Sequence, residues 1–242
     1  MAIYSRVMLK ISGEALGGST GRGFDRTAID HIANEIREVA AAGVEIAIVA
    51  GGGNFLRGQE CQSLGFERGT ADYMGMTATI LNAMALQSAI EAVGYPTRVL
   101  SAIEARQVCE PFIRRRALRH MEKGRVVILA GGTGNPGCTT DTAAALRAVE
   151  LGCKVMLKAT QVDGIYTSDP KTNPNALRYQ HISYAQAINE NLRVMDATAF
   201  TVCREHRMPL VVYSIAQPGS TLRAATGKAI GTLVDDSPGD SR

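Results

Sequence analysis

Short, continuous apolar runs alternate along the chain with segments whose apolar residues recur at helical spacing. Val7-Met8-Leu9-Lys10-Ile11, Glu45 to Ala50, Arg125 to Ala130, Val155-Met156-Leu157 and Leu210 to Tyr213 read as buried strands, and Thr97 to Leu100 and Gly231 to Val234 as shorter ones. Between them, Asp25 reads as the cap of a helix carrying Ile29, Ile32, Ala33, Ile36, Val39 and Ala40 and closed by Gly43. Met74 to Val93 is helical through Met76, Ile80, Leu81, Met84 and Leu86, and Gly94-Tyr95-Pro96 stops it. Phe112 to Lys123 is a further helix. An alanine-rich one is capped by Thr140 or Asp141 and ends at Gly152. Helical pieces are expected at Tyr184–Asn189, Ala197–Arg207 and Ser220–Ala225, and 163–175 is rich in turn residues.

Strands apolar on both sides, alternating with amphipathic helices, predict a three-layer α/β sandwich: a mostly parallel central sheet covered by helices on both faces. No linker or repeat divides the chain. One domain over residues 1–234 is expected, with 235–242 as a frayed polar tail. Composition removes other classes. With 45% apolar and 20% charged residues, disorder, fibre and coiled coil are poor fits. The apolar runs are too short for a membrane span, and Met1 to Ser12 lacks a signal peptide's apolar stretch. A net charge of +3 does not argue for nucleic acid. Arg114-Arg115-Arg116 with Arg119 lacks interleaved aromatics and reads as a solvated helix face or subunit contact. Five scattered cysteines without a CxxC, and four dispersed histidines, point to a reduced cytoplasmic protein without a zinc site.

Glycine changes the picture. Of 25 glycines, thirteen fall in three short segments, 13–23, 51–58 and 131–137, and each follows a predicted strand. In open α/β sheets ligands bind beyond the carboxyl ends of the strands, where bare backbone N–H groups suit phosphate. One cluster alone would be an ordinary turn; three at matching positions favour a site. GxxxxGK[ST] does not occur, nor does GxGxxG after the first strand, so P-loop and Rossmann sites have no support. Lysine is scarce, six against 20 arginines, yet Lys10 and Lys158 both sit at the ends of apolar strands. Either one alone could snorkel to water; both together make sense beside a polyphosphate.

Three segments carry a resemblance: Lys10-Ile11-Ser12-Gly13-Glu14-Ala15-Leu16, Gly51-Gly52-Gly53-Asn54 with Arg57-Gly58, and Gly132-Thr133-Gly134-Asn135-Pro136 with Thr139-Thr140-Asp141. Asp72-Tyr73-Met74-Gly75-Met76, Lys158-Ala159-Thr160, Val162 to Tyr166, Asp169-Pro170 and Val194-Met195-Asp196 add to it. Together they resemble the bacterial uridylate kinases of the amino acid kinase family over nearly the whole chain. The resemblance implies transfer of the γ-phosphoryl group of ATP to UMP in pyrimidine nucleotide biosynthesis. The acceptor is already an anion, so positioning and positive charge replace a general base.

By the same resemblance Lys10, Arg57 and Asp141 are the catalytic residues. Lys10, Ile11, Ser12, Gly13, Gly53 and Arg57 contact ATP, as do Lys158, Thr160, Tyr166 and Asp169. Gly52, Asp72 and the stretch Thr133, Gly134, Asn135, Pro136, Gly137, Cys138, Thr139, Thr140 hold UMP, with Asp72 accepting from ribose hydroxyls. The N-terminal half is then mainly the acceptor side and the C-terminal half the ATP side. Mg²⁺ is held by nucleotide phosphates and water, without a protein ligand. The loop Gly18, Ser19, Thr20, Gly21, Arg22, Gly23 lies where the family senses GTP. UTP inhibition, GTP activation and a homohexamer are further implications. Asp196 is open between a role near the phosphates and a helix cap. The sequence departs from the family pattern at Gly137-Cys138, where an aromatic pair is usual, and at Phe55-Leu56, where the order is reversed. Cys138 is expected as a buried, inert thiol. The competing functions are a sister kinase acting on a small acid such as acetylglutamate and a non-catalytic nucleotide-binding protein. The Asp72 segment and GTGNPGCTTD speak against the first, and Lys10, Arg57, Asp72 and Asp141 together against the second.

Overall fold

A computed structural model describes residues 4–56, 58–170, 172–190, 192 and 195–236. Nine strands form one sheet: β1 (Arg6–Ile11), β2 (Glu45–Ala50), β3 (Thr97–Ser101), β4 (Glu110–Pro111), β5 (Val126–Ala130), β6 (Val155–Thr160), β7 (His181–Ile182), β8 (Leu210–Ser214) and β9 (Thr232–Val234). Their order is β4-β3-β5-β2-β1-β6-β8-β9-β7, and every pairing is parallel except β8 with β9. The expected mostly parallel sheet is therefore present, with β1 at its centre, between β2 and β6.

Among the described residues eight α-helices flank it: α1 (Arg26–Ala41), α2 (Gly58–Ser63), α3 (Arg68–Ala92), α4 (Arg114–Glu122), α5 (Thr140–Leu151), α6 (Tyr184–Asn189), α7 (Ala197–Glu205) and α8 (Ser220–Ala225). Side chains alternate across a strand, so β1 feeds two cores. Val7, Leu9 and Ile11 pack with α1, α3 and α8 on one face, and Met8 packs with α4, α5 and α7 on the other. Lys10 follows Met8 to the second face, as Lys158 follows Met156 along β6. The register sets Lys10 directly opposite Lys158.

Three local expectations change. The loop after β1 is a 3-10 helical segment over Gly13–Thr20. α3 begins six residues earlier than its apolar spacing suggested, and Leu81 and Met84 of that spacing stand exposed while Ala83 and Ile90 are buried. The cap of α5 is neither Thr140 nor Asp141 but Thr139, whose hydroxyl accepts from the N–H groups of Asp141 (3.1 Å) and Thr142 (3.3 Å). Asp141 is thereby left free of capping. In the segment expected to fray, Asp235 contacts His181 and Asp236 accepts from the Tyr184 N–H; residues 237–242 lie outside the described residues.

Candidate active site

The helix α3 anchors all three glycine clusters through one polar stripe. Asp72, Thr79 and Asn82 are seven and three residues apart, so helical geometry puts them on one side. Asn82 donates to the Gly51 carbonyl (2.5 Å) and exchanges two amide hydrogen bonds with Asn54 (2.7 and 3.0 Å). Asn54 in turn donates to the Gly23 carbonyl (2.8 Å). Thr79 accepts from the Gly131 N–H (2.8 Å), and Asp72 Oδ2 accepts from the Gly137 N–H (2.7 Å). Asn54, Thr79 and Asn82 are buried, so each must be paired, and each is. The Gly52–Gly53 turn lies against α3 so closely that a Cβ on Gly52 would meet the Gly75 carbonyl at 2.8 Å.

A cavity of about 140 Å³ lies between this stripe and the loop from β5 to α5. Of the residues expected to hold UMP, Gly52, Asp72, Asn135, Cys138, Thr139 and Thr140 line it. Gly53, expected on the ATP side, lines this cavity too. Thr133 does not: its hydroxyl closes the loop by donating to the Asn135 carbonyl (3.0 Å). Gly134 is held against Ala102, while Gly137 sits in open space with φ +84°. Pro136 is exposed, as is Cys138, so the expected buried thiol is corrected: the cysteine stands in an exposed loop whose turn leaves its side chain uncovered. Met76 and Thr79 also line the cavity. Met76 stands in the Asp72 segment but was not singled out as a site residue, and Thr79 was not singled out at all; its signal was a threonine inside an apolar helical face. At the reversed pair, Phe55 packs edge-on against Phe24 and Leu56 lines the cavity.

The charged centre lies next to it. Strand alternation brings Lys10 and Lys158 to the face under α5, and the freed Asp141 carboxylate stands between them. Its Oδ1 is 2.9 Å from Lys10 Nζ and its Oδ2 accepts from Lys158 Nζ at 2.5 Å. Lys10 is only 8% exposed. Burial pushes the Asp141 carboxyl up, but Lys10 and then Lys158 outweigh it and hold it below the usual carboxylate range. Burial pushes the Lys158 ammonium down, and the Lys10 charge adds to this against the pull of Asp141. Two ammonium groups and one carboxylate leave a net positive charge at the amino end of α5, where the helix dipole adds to it. The triad lines a cavity of about 730 Å³. Asp196 caps α7, accepting from Ala199 N–H (2.9 Å), and also accepts from the hydroxyls of Thr139 and Thr142, tying α7 to α5; it lines the charged cavity as well.

A third cavity, about 540 Å³, opens beyond β6 and is lined by Thr160, Tyr166 and Asp169, all expected on the ATP side, with Val162, Glu190 and Leu192. The Tyr166 hydroxyl donates to Asp163 (2.7 Å), and that hydrogen bond first, then burial, raises its ionisation above the ordinary tyrosine value. The three cavities adjoin: Thr139 and Thr140 line both the first and the charged one, and Leu192 both the charged one and the third.

Ile11, Ser12 and Gly13, expected on the ATP side, line none of the three cavities; the Ile11 side chain is buried in the core, and its carbonyl accepts from Gly51 N–H (2.9 Å). Lying away from the cavities, the loop from Gly18 through Ser19, Thr20 and Gly21 runs to Arg22, which pairs with Glu60, and Gly23, bonded to Asn54. Arg57, and Val194 of the segment before Asp196, lie outside the described residues. Among the described residues no group of three or more His, Cys, Asp and Glu side chains could hold a metal ion.

Residues 5–214 match the model of the amino acid kinase family. Among solved structures, the chain is similar to a UMP kinase from Bacillus anthracis, at 38% identity over 97% of each chain with a TM-score of 0.94. It is also similar to a UMP kinase from Ureaplasma parvum, at 38% identity over 96% of this chain and 99% of that one, with a TM-score of 0.91. A uridylate kinase from Archaeoglobus fulgidus matches at 30% identity over 97% of this chain and all of that one, with a TM-score of 0.73.

Proposed function

The chain belongs to the amino acid kinase family, and from that premise we propose that it transfers the γ-phosphoryl group of ATP to UMP, giving UDP and ADP. The observation that carries this reading is the row of three adjoining cavities with the Lys10–Asp141–Lys158 triad in the middle one. A donor in the largest outer cavity and an acceptor in the smallest would meet at the triad.

In this reading the difficulty is electrostatic, because two anions must approach. Lys10 and Lys158 stabilise charge on the transferring group, and Asp141 holds both ammonium groups in place without cancelling them. The backbone N–H groups of Gly13 and Gly53 face the phosphates. Asp72 accepts from the acceptor ribose, and Thr139 and Thr140 close the acceptor side. No general base is required of the protein, because the acceptor oxygen is already anionic near neutral pH. Both carboxylates near the centre are occupied, Asp141 by two ammonium groups and Asp196 by hydroxyls and an N–H. That suits a magnesium ion held by phosphate oxygens and water, where it neutralises donor charge. Arg57 as a phosphate clamp, residues 1–234 as one domain, UTP inhibition, GTP activation through 18–23, a homohexamer and a cytoplasmic place in pyrimidine nucleotide synthesis complete the proposal. No described helix is long and apolar enough to cross a membrane.

The test is a coupled ADP-release assay with UMP, CMP and acetylglutamate, run with and without GTP, beside sedimentation to measure assembly. Turnover is expected with UMP and not with acetylglutamate. No turnover with UMP would sink the reading.

A further inference from the structure

We propose that the backbone N–H of Gly137 is a positioning group for the acceptor: it sets the Asp72 carboxylate, and only a left-handed residue at 137 can present it. The inference rests on the reading of the smallest cavity as the acceptor site. Gly137 N–H donates to Asp72 Oδ2 at 2.7 Å, across 65 residues of chain. The bond links α3 to the rim of the cavity, and the acceptor's charged carboxylate partner strengthens it. Asp72 Oδ1 makes no other hydrogen bond among the described residues, so one oxygen is fixed by the protein and the other is left for a ligand hydroxyl.

Burial does not demand this bond. Gly137 is exposed, and water could satisfy both the N–H and the carboxylate. Nor does space demand glycine, since nothing lies within 4 Å of where a Cβ would stand. What demands it is the backbone angle. At φ +84° an L side chain is strained, and relaxing to negative φ would turn the N–H away from Asp72. An exposed bond with no packing or burial reason, made through a conformation that excludes most residues, sits at the mouth of the cavity that reads the acceptor. The following residues reinforce the placement. Cys138 lines the same cavity, and Thr139 caps the helix that presents Asp141, so the angle at 137 also sets how the rim joins the charged centre.

The experiment is a double-mutant cycle on the full chain with UMP and ATP as substrates, using Gly137→Ala, Asp72→Ala and the pair, with Gly137→Asn as the conservative variant. Asparagine tolerates the left-handed region better than alanine does. Gly137→Ala is expected to raise the KM for UMP about tenfold, equivalent to about 1.4 kcal/mol, while the KM for ATP stays within about twofold. Gly137→Asn should recover most of the loss. In the Asp72→Ala background, Gly137→Ala should add less than about twofold, because the group it positions is gone. Melting curves for each variant confirm folding. Additive effects in the cycle, an equal rise in both KM values, or Asn no better than Ala would overturn the inference. If the parent enzyme turns over UMP and the cycle is additive, this inference alone fails. If the parent turns over no UMP, the acceptor reading fails and takes this inference with it.

Discussion

Gly52, on the floor of the smallest of the three cavities, and Gly13, packed behind it against Gly51 and Gly53, have ordinary backbone angles but no room. A Cβ on Gly13 would meet the Gly51 carbonyl at 2.6 Å and the Gly53 nitrogen at 2.7 Å, and one on Gly52 would meet α3. Gly137, on the rim, has room on every side but a backbone angle that side chains resist. The floor is therefore held by contact and the rim by torsion. Contact couples a residue to its neighbours, so a change on the floor spreads into strands and helix. A change at the rim stays in one loop, and it alters what the loop offers a ligand before it alters the fold. Within one cavity, the part that needs the same shape in every state is built from packing. The rim is set by a single dihedral angle.

The contrast is sharpest at the charged centre, which lies in the neighbouring cavity and, like the floor, is held by contact. Asp141→Asn should lower kcat by about 10²–10³-fold, since it unfastens both lysines from the position where charge develops. A loss under tenfold in steady-state assays would mean that the lysines hold themselves. The same variant carries a pH signature. The folded Asp141 carboxyl is held below its unfolded value, so its contribution to stability is full above the ordinary carboxylate range and is lost as pH falls through the depressed value. Denaturant midpoints across the acid range should show that loss in the parent and not in the variant.

Next in size is Asn82→Ala, which strands the Gly51 carbonyl and the Asn54 amide in a buried place. A cost of about 2–4 kcal/mol is expected, read as a melting temperature lower by roughly 5–15 °C. Gly13→Ala tests the floor by steric means. It should cost about 1–3 kcal/mol and impair turnover as well, and a variant with parent-like melting and kinetics would break the distinction between floor and rim. The smallest effect belongs to Gly43→Ala, a torsional glycine far from the site with φ +79° and open surroundings. It should cost about 1 kcal/mol with unchanged kinetics, which shows what left-handed strain alone does when no ligand group depends on it.

The sheet was legible in the sequence because its long strands are short apolar runs, and those of β1, β2, β5 and β6 run into glycine or lysine at their ends, a pattern that suits buried parallel strands. The charged pair was legible for the same reason: Lys10 and Lys158 interrupt such runs. The anchoring stripe on α3 was not. Thr79 and Asn82 are unremarkable on a helix, and their value comes from carbonyls and N–H groups some 30 to 50 residues away, which no local spacing encodes. Leu81 and Met84 misled in the opposite sense, because an apolar residue may stand exposed without penalty large enough to forbid it. The cap of α5 was misplaced by one or two residues for a simple reason. Thr139, Thr140 and Asp141 are all good caps, and what decides among them is the need of two distant lysines for the carboxylate.

Because β1 lies at the centre of the sheet, between a strand some 40 residues later and another some 150 residues later, it has a history that the finished fold hides. As a nascent chain leaves the ribosome, β2, β3 and β5 are available long before β6. During that interval the central strand of the sheet has one open hydrogen-bonding side, the condition under which edge strands find wrong partners. The arrival of β6 closes that side and, in the same step, brings Lys158 beside Lys10. Protection from aggregation and assembly of the charged centre are thus one event, and a chain cut short before residue 155 would have neither.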